Sequence, residues 1–486
     1  MLAGAVFALS LTGLTVYGQS ASSSAASSSV TSSSVATSSA ASAASSGATS
    51  SSVSGSTNTE ATALTFSLTV TNPTAIPLAS ITANETSLAT IPLPSTATPG
   101  ATNTFLSEAP VLPNPTSIVS SNYPTLDKVP PTDSDEVQQW IAEVAASGIS
   151  IPNITQTVLG GCPANAEAAA DTSRCWWSCT GCVRDTDVQE CPTKLTWGLT
   201  YDDGPSFYTP NLLTYLTANH LSATFFTVGS RCAQFPVTLQ EEFMAGHQIA
   251  VHTWSHPYLT TLTNEQVIAE LGWTKKVIKD VTGVTPNMMR PPYGDIDDRV
   301  RNISIAMGLT PVMWTRINAT ATFDTDDFDV HGGLASSYGV LNNWQNIITQ
   351  ANEIDTGFIV LEHDLFEETV QLATGYILPS AMNQSFDIKP VINCLNKPLS
   401  DAYIETNDNS TNPPAASGMS NYLHSLPFRT ILIWFSGVVT LSSGAPGSAS
   451  TTGAASSSNS GVGLKVSGTS TALTLSGGFA FVALFL

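Results

Sequence analysis

Basic residues are scarce in this 486-residue chain: 16 Lys and Arg stand against 37 Asp and Glu, a formal net charge of −21. No basic cluster exists to neutralise phosphates, which excludes nucleic acid as a partner. The same imbalance disfavours polyanionic substrates and suits a neutral polymer, with the acidic surface serving solubility. Long apolar runs are also lacking. Those at the two ends, 2–17 and 472–486, fall short of the roughly 20 residues that a membrane-spanning helix needs. A shorter one at 430–441, with Trp434 and Phe435, has no evident physical role. Large apolar side chains are nearly missing from 1–60 and 440–470, where Ser, Ala, Thr and Gly dominate. Such sequence cannot offset the entropy of ordering and is expected to stay unfolded. No internal repeat is visible.

Trp, Phe, Ile and Val are dense between residues 120 and 400, a length that suits one large α/β domain. The ends read as addresses. Residues 2–17 carry no Asp or Glu and are followed by Tyr17-Gly18-Gln19, the layout of a secretion signal without its usual basic start. The terminal tail follows a polar spacer with Lys465 and the small residues 457–461, the layout of a GPI-attachment signal with Asn459 or a neighbouring Ser as the site. The product is expected to be secreted and held by a GPI lipid at the plasma membrane, the cell wall or both.

Secretion changes how the seven cysteines read. Cys162, Cys175, Cys179, Cys182 and Cys191 crowd together, with Cys232 and Cys394 further on. In an oxidising compartment they are expected to form disulfides rather than a zinc site, in a connectivity the sequence leaves open, with one thiol left over. Asn84, Asn153, Asn302, Asn318, Asn383 and Asn409 stand in Asn-x-Ser/Thr sequons compatible with glycosylation.

Along the chain, 134–146 predicts a helix with an acidic first turn, stopped by Gly148. A second helix is expected from the capping box Thr263-Asn-Glu-Gln266 to about Val281, before Gly283, and a third over 210–219. Apolar strands are predicted at 195–201, 223–228, 249–252, 288–290, 310–314 and 358–363. Their alternation with helices indicates a parallel sheet, and the polar candidates fall where strands end.

Four segments carry chemistry. Asp202-Asp203-Gly204-Pro205 closes the first strand, and His252-Thr-Trp-Ser-His256 follows about fifty residues later. Asp203, His252 and His256 form a donor set that holds a divalent metal while leaving a position for water. Asp202 is then free to act as base. Arg290-Pro-Pro-Tyr293-Gly294 supplies a guanidinium able to grip that base through two hydrogen bonds, and a backbone N–H near Tyr293 to face an oxyanion. Leu361-Glu-His363-Asp364 offers an imidazole as acid toward a leaving amine, or as a further ligand. The run Asp324-Thr-Asp326-Asp327 is the source of a carboxylate to orient it, or else a solvated acidic loop.

These four segments, in this order, resemble the motifs of the polysaccharide deacetylases, carbohydrate esterase family 4, over about 195–390. With the signal, stalk and anchor, the resemblance is closest to their fungal chitin-deacetylating members. It implies a distorted (β/α) barrel flanked by disordered Ser/Thr/Ala-rich segments, with one Zn2+ or Co2+ ion. It also implies hydrolysis of N-acetyl groups of GlcNAc units in chitin, giving chitosan and acetate. Carried over by motif, Asp202 is base, Arg290 its tether, Asp203, His252 and His256 ligands, and His363 acid oriented by Asp327. Tyr293, Trp314 and Leu361 are assigned to substrate contact. Phe328 stands where the family has a Trp. The expected boundaries are a signal peptide at 1–18, a mostly disordered stalk at 19–120, and a cysteine-bearing extension at 121–194 packed on the catalytic domain. The Pro/Thr-rich stretch 61–130 has enough Leu and Ile to pack on the domain as extended chain, with little regular structure. The catalytic domain follows at 195–400, then a linker at 401–460 and the GPI propeptide at 461–486. A monomer is expected. Rival readings are a chitin-binding wall protein without chemistry, in which Trp176 and Trp177 stack on sugar rather than fill the core, a deacetylase of another acetylated glycan, and a glycosidase using paired carboxylates.

Overall fold

The computed structural model describes residues 62–83, 91–318 and 321–407. The signal, the first part of the stalk, the segment 430–441, the terminal tail, Asn84, Asn409 and Asn459 lie outside the described residues.

Short apolar strands buried along their whole length are what parallel sheets require, because helices cover both faces. Strands β2 (Thr200–Asp202), β3 (Thr224–Thr227) and β4 (Gln248–Val251) are each fully buried and run parallel, in register Tyr201–Phe225–Ile249. Two-residue strands β5 (Met288–Met289) and β6 (Thr310–Pro311) extend this sheet, in the order β2-β3-β4-β5-β6. A second parallel sheet has β1 (Thr196–Gly198) between β7 (Phe358–Ile359) and β8 (Asp387–Lys389).

The sheets close on each other. The Thr315 N–H donates to the Ile359 carbonyl at 3.0 Å, and the Asp202 N–H donates to the Glu362 carbonyl at 2.9 Å. Bridges at Asp202–His363 and Asp324–Leu361 complete the ring. This is the distorted α/β barrel expected.

The single strand predicted over 195–201 is in fact two. At Leu199 the chain donates to Lys389 of β8 and accepts from Thr224 of β3, so it changes neighbours at that residue. The strands predicted at 288–290, 310–314 and 358–363 are also shorter. Pro291 and Pro311 have no N–H to give a ladder, and Val312, Leu361 and His363 make only isolated bridges. The helices follow their local signals more closely. Ser134 caps the helix Asp135–Ala146 by accepting from the Val137 N–H. The capping box at Thr263 and Gln266 opens the helix Asn264–Thr282, and Gly283, at φ 86°, closes it.

Two segment boundaries need correction. From residue 62 on, the stretch bounded within the mostly disordered stalk is laid on the barrel as extended chain, the packing its Leu and Ile residues allowed, with 3-10 turns at Leu78–Ser80 and Pro115–Ser117. It buries Ile81, Leu106 and Leu112 (1 %, 5 % and 2 % exposed), too much apolar surface to leave in water. The Asn72 N–H donates to Gly375 O at 2.9 Å and the Asn103 amide to Phe243 O at 2.8 Å, so its polar groups are tied down as well. At the other end the domain continues past 400, because Tyr403 is buried and its hydroxyl accepts from the Ile249 N–H of β4 at 2.8 Å.

The cysteines pair as Cys162–Cys179, Cys175–Cys182 and Cys191–Cys394, leaving Cys232 buried and free. The last bridge joins positions 203 residues apart, tying the approach to β1 to the chain after β8.

If the 62–112 segment is part of the core, Ile81→Ala and Leu112→Ala will each lower unfolding stability by about 2–4 kcal/mol. Urea titration followed by tryptophan fluorescence measures this, and midpoints equal to wild type would restore the stalk reading.

Candidate active site and metal centre

The base and metal-donor candidates named from sequence cluster at strand ends. β2 ends on Asp202 and hands on to Asp203, at φ 78°. β4 hands on to His252 and then to a tight turn, in which Thr253 (φ 63°) and His256 (φ 58°) are also left-handed. Such backbone costs energy for residues with a Cβ and persists only where the surroundings enforce it. Here the enforcing group is Glu270, from the inner face of the helix Asn264–Thr282. Its carboxylate accepts from the N–H groups of Trp254 (2.7 Å) and Ser255 (2.8 Å) and from the Ser255 hydroxyl (2.6 Å). Burial pushes the Glu270 carboxyl up to about 7, against these hydrogen bonds. The turn after β2 is anchored in the same way. Asp364 accepts from the Gly204 N–H at 3.1 Å and from the Thr209 hydroxyl, and a Cβ on residue 204 would sit 2.4 Å from its oxygens.

Asp202 is held by Arg290, but not through the two-bond grip expected. One guanidinium nitrogen, Nη1, reaches both Asp202 Oδ1 and the Thr200 hydroxyl at 2.8 Å, while Nε turns to the Val312 carbonyl at 3.3 Å. The guanidinium is fully buried and lies 4.2 Å from the Phe226 ring centroid, so this packing and the bonds to Thr200 and Val312 fix its plane without a second bond to Asp202. That leaves Asp202 Oδ2 facing the site, 3.8 Å from His252 Nε2.

Asp203 Oδ1 lies 3.3 Å from His252 Nε2 and 3.1 Å from His256 Nε2, and the three donor atoms lie within 4.8 Å of one another. His252 Nδ1 is 2.8 Å from the carbonyl of Arg290, which can only accept, so Nδ1 carries a proton. In the neutral ring Nε2 therefore presents a lone pair to a carboxylate oxygen, and that oxygen is buried without a hydrogen-bond partner. A cation between them resolves the conflict. A proton serves one histidine at a time, whereas a divalent ion serves all three donors together, and the mix of two imidazoles and one carboxylate suits such an ion. Burial alone would raise the Asp203 carboxyl, but the neighbouring His256 and His252 outweigh it and hold it well below the usual carboxylate range.

At the same barrel end His363 forms an isolated bridge with Asp202. Asp327 accepts from its ring Nδ1 at 2.8 Å and from its backbone N–H at 2.9 Å, a double hold on position and tautomer. Burial disfavours the imidazolium, yet Asp327, with Asp203 and Asp202 beyond it, raises its pKa to about 10, so its neighbours favour the charged ring. The acidic run is not a solvated loop. Asp327 is buried, and Asp326 accepts from the Asn343 amide at 2.7 Å.

Tyr293, at φ 59°, is half-exposed at the rim, stacked on Tyr258 at 4.0 Å between centroids. Trp314 and Leu361 are buried at 6 % and 8 % exposure. Trp176 and Trp177 belong to the core, with Trp177 edge-on to Trp314 at 4.5 Å and the Trp176 indole N–H bonded to Asp295 at 2.7 Å. Phe328 lies beside His363, at 5.1 Å between ring centroids. Of the sequons, Asn153, Asn318 and Asn383 are exposed. Asn302 lies within the helix Asp298–Ala306, and the amide nitrogen that would carry a sugar donates to the Ser150 carbonyl at 2.8 Å.

Sequence reasoning passed over Glu270, Asp364 and Thr200. A signal existed for the first, since an acid among Val267, Leu271, Val277 and Ile278 interrupts the apolar face of a helix.

The sequence profile described as polysaccharide deacetylase matches residues 189–312. Chitin deacetylase 1 of Cryptococcus neoformans var. grubii is 49 % identical over 363 residues, which cover 73 % of this chain and 76 % of that protein. The chain belongs to the polysaccharide deacetylase family. Within the family, the chitin deacetylase of Amylomyces rouxii is 37 % identical over 266 residues, 52 % of this chain and 60 % of that one. A looser likeness, at 23 % identity and TM-score 0.41, links 47 % of this chain to all of a solved chitin deacetylase from Colletotrichum lindemuthianum.

Because Asp327 supports the charged form of His363, Asp327→Asn should lower the imidazole pKa. A group protonated below its pKa is lost as an acid when pH rises through that value. The basic limb of the kcat/KM profile should therefore move down by about one pH unit or more, and an unmoved limb would remove Asp327 as its partner.

Proposed function

We propose that this polysaccharide deacetylase hydrolyses the N-acetyl groups of GlcNAc units in chitin, releasing acetate and leaving the glucosamine units of chitosan. The observation that carries the reading is a single barrel end holding a tethered carboxylate, three converging metal donors and an imidazole held twice by Asp327. Its sequence relatives, named chitin deacetylases, support the choice of substrate.

Asp203, His252 and His256 would hold one divalent ion, Zn2+ or Co2+, which when bound lowers the pKa of a water and polarises the acetamide carbonyl. Asp202 takes the proton of the attacking water through Oδ2, the oxygen that Arg290 leaves free. Arg290 keeps that carboxylate oriented without consuming both oxygens. The backbone N–H of Tyr293 is assigned to the carbonyl oxygen as charge gathers there. His363, held charged by Asp327, gives its proton to the departing amine. Trp314 and Leu361 shape the wall beside the acetyl group. An acidic chain with few cations suits this neutral polymer, which offers no phosphate or carboxylate to be repelled.

The apolar start and the small-residue, spacer and tail pattern at the end support secretion and GPI tethering at the membrane or wall.

Two outcomes test the activity. Chitin oligomers should release acetate without becoming shorter, as read by mass spectrometry, and a chelator should stop release until Zn2+ or Co2+ is added back. Shortened chains would point to a glycosidase instead. Asp202→Asn should cut kcat by at least about a hundredfold while the bound-metal content stays at the wild-type level; near-normal turnover would remove Asp202 as base.

A further inference from the structure

A metal-binding imidazole is oriented by what its other nitrogen touches. For His252 that partner is the backbone carbonyl of Arg290, at 2.8 Å. For His256 it is the phenol of Tyr293, 3.1 Å from Nδ1. Both partners come from one loop, and the same loop sends the Arg290 side chain to Asp202. The two contacts differ in kind. A carbonyl enforces one tautomer, while a hydroxyl accepts or donates and so holds the ring only if its own position is held.

That position is held from two sides. The Tyr293 ring lies flat on Tyr258, with centroids 4.0 Å apart and planes 12° from parallel. Its left-handed backbone is backed by Gly294, where a Cβ would fall 2.3 Å from the Trp177 ring. We infer that the Tyr293 side chain is a positioning residue for the metal: its hydroxyl accepts from His256 Nδ1–H, fixing the tautomer whose Nε2 lone pair faces Asp203. This role is separate from the one assigned to the backbone N–H of the same residue. It rests on the metal site of the proposed function but not on the identity of the substrate.

The test is metal affinity, read without substrate on the full-length protein. Apo-protein is titrated with Zn2+ against a chromophoric chelator for wild type, Tyr293→Phe and Tyr258→Phe. Tyr293→Phe keeps the stacked ring and loses only the acceptor, and its Zn2+ affinity should fall by about 10–100-fold. Tyr258→Phe keeps the same stack and removes a hydroxyl that does not touch the histidine, so it should bind as wild type. Circular dichroism establishes that both variants are folded, and an equal loss in both variants would overturn the assignment, as would wild-type affinity in Tyr293→Phe. A raised KM with unchanged Zn2+ affinity in Tyr293→Phe would also overturn it, placing the phenol on the substrate side. If wild type binds Zn2+ but releases no acetate from chitin oligomers, the substrate reading fails while the affinity comparison still decides this one.

Discussion

Three electron-pair donors, Asp203 Oδ1 and the Nε2 atoms of His252 and His256, converge at one end of the barrel within 4.8 Å of one another. Left to themselves they repel, and the carboxylate oxygen is buried with no hydrogen bond to compensate. Much of the surrounding structure serves to keep them together. Glu270 pins the turn between the histidines, Asp364 pins the turn after Asp203, and four site residues, Asp203, Thr253 and His256 in these turns and Tyr293 in the loop after Arg290, sit in left-handed backbone. Strain of this kind is what a preorganised site costs, and it is repaid by burial elsewhere in the barrel.

Asp202 and His363, the proposed base and acid, are treated differently by their neighbours. Asp202 is held at one oxygen, leaving the other toward the site, whereas His363 is held twice, at Nδ1 and at the backbone. The asymmetry fits their tasks. A base must keep a free lone pair, and an acid must keep its proton and its tautomer until the leaving group needs it. The buried Arg290 also ties two elements together, because Nη1 touches Thr200 and Asp202 while Nε meets Val312.

Much of this was legible before any coordinates. The capping box at Thr263 and Gly283 marked one helix almost to the residue, since caps are local chemistry written in adjacent positions. The Asp-Asp, His-x3-His, Arg-Pro-Pro-Tyr and Glu-His-Asp segments pointed to metal, base and acid because each clusters rare residue types at strand ends. Strand lengths were not legible. Leu199 changes partners in mid-run because two strands elsewhere in the chain, β3 and β8, reach it from opposite sides. For 62–112 the sparse Leu and Ile allowed packing as extended chain but did not say which groove receives them.

What the sequence determined by itself, then, was what depends on neighbours in the chain: helix ends, composition, charge, and which side chains to propose for the chemistry. Tertiary structure alone decided which cysteines pair, that Arg290 offers one nitrogen instead of two, and that Glu270, Asp364 and the Tyr293 hydroxyl brace the site. The physical reason is that these contacts join residues tens to hundreds of positions apart. Their geometry follows from how the barrel closes, and no local pattern encodes it.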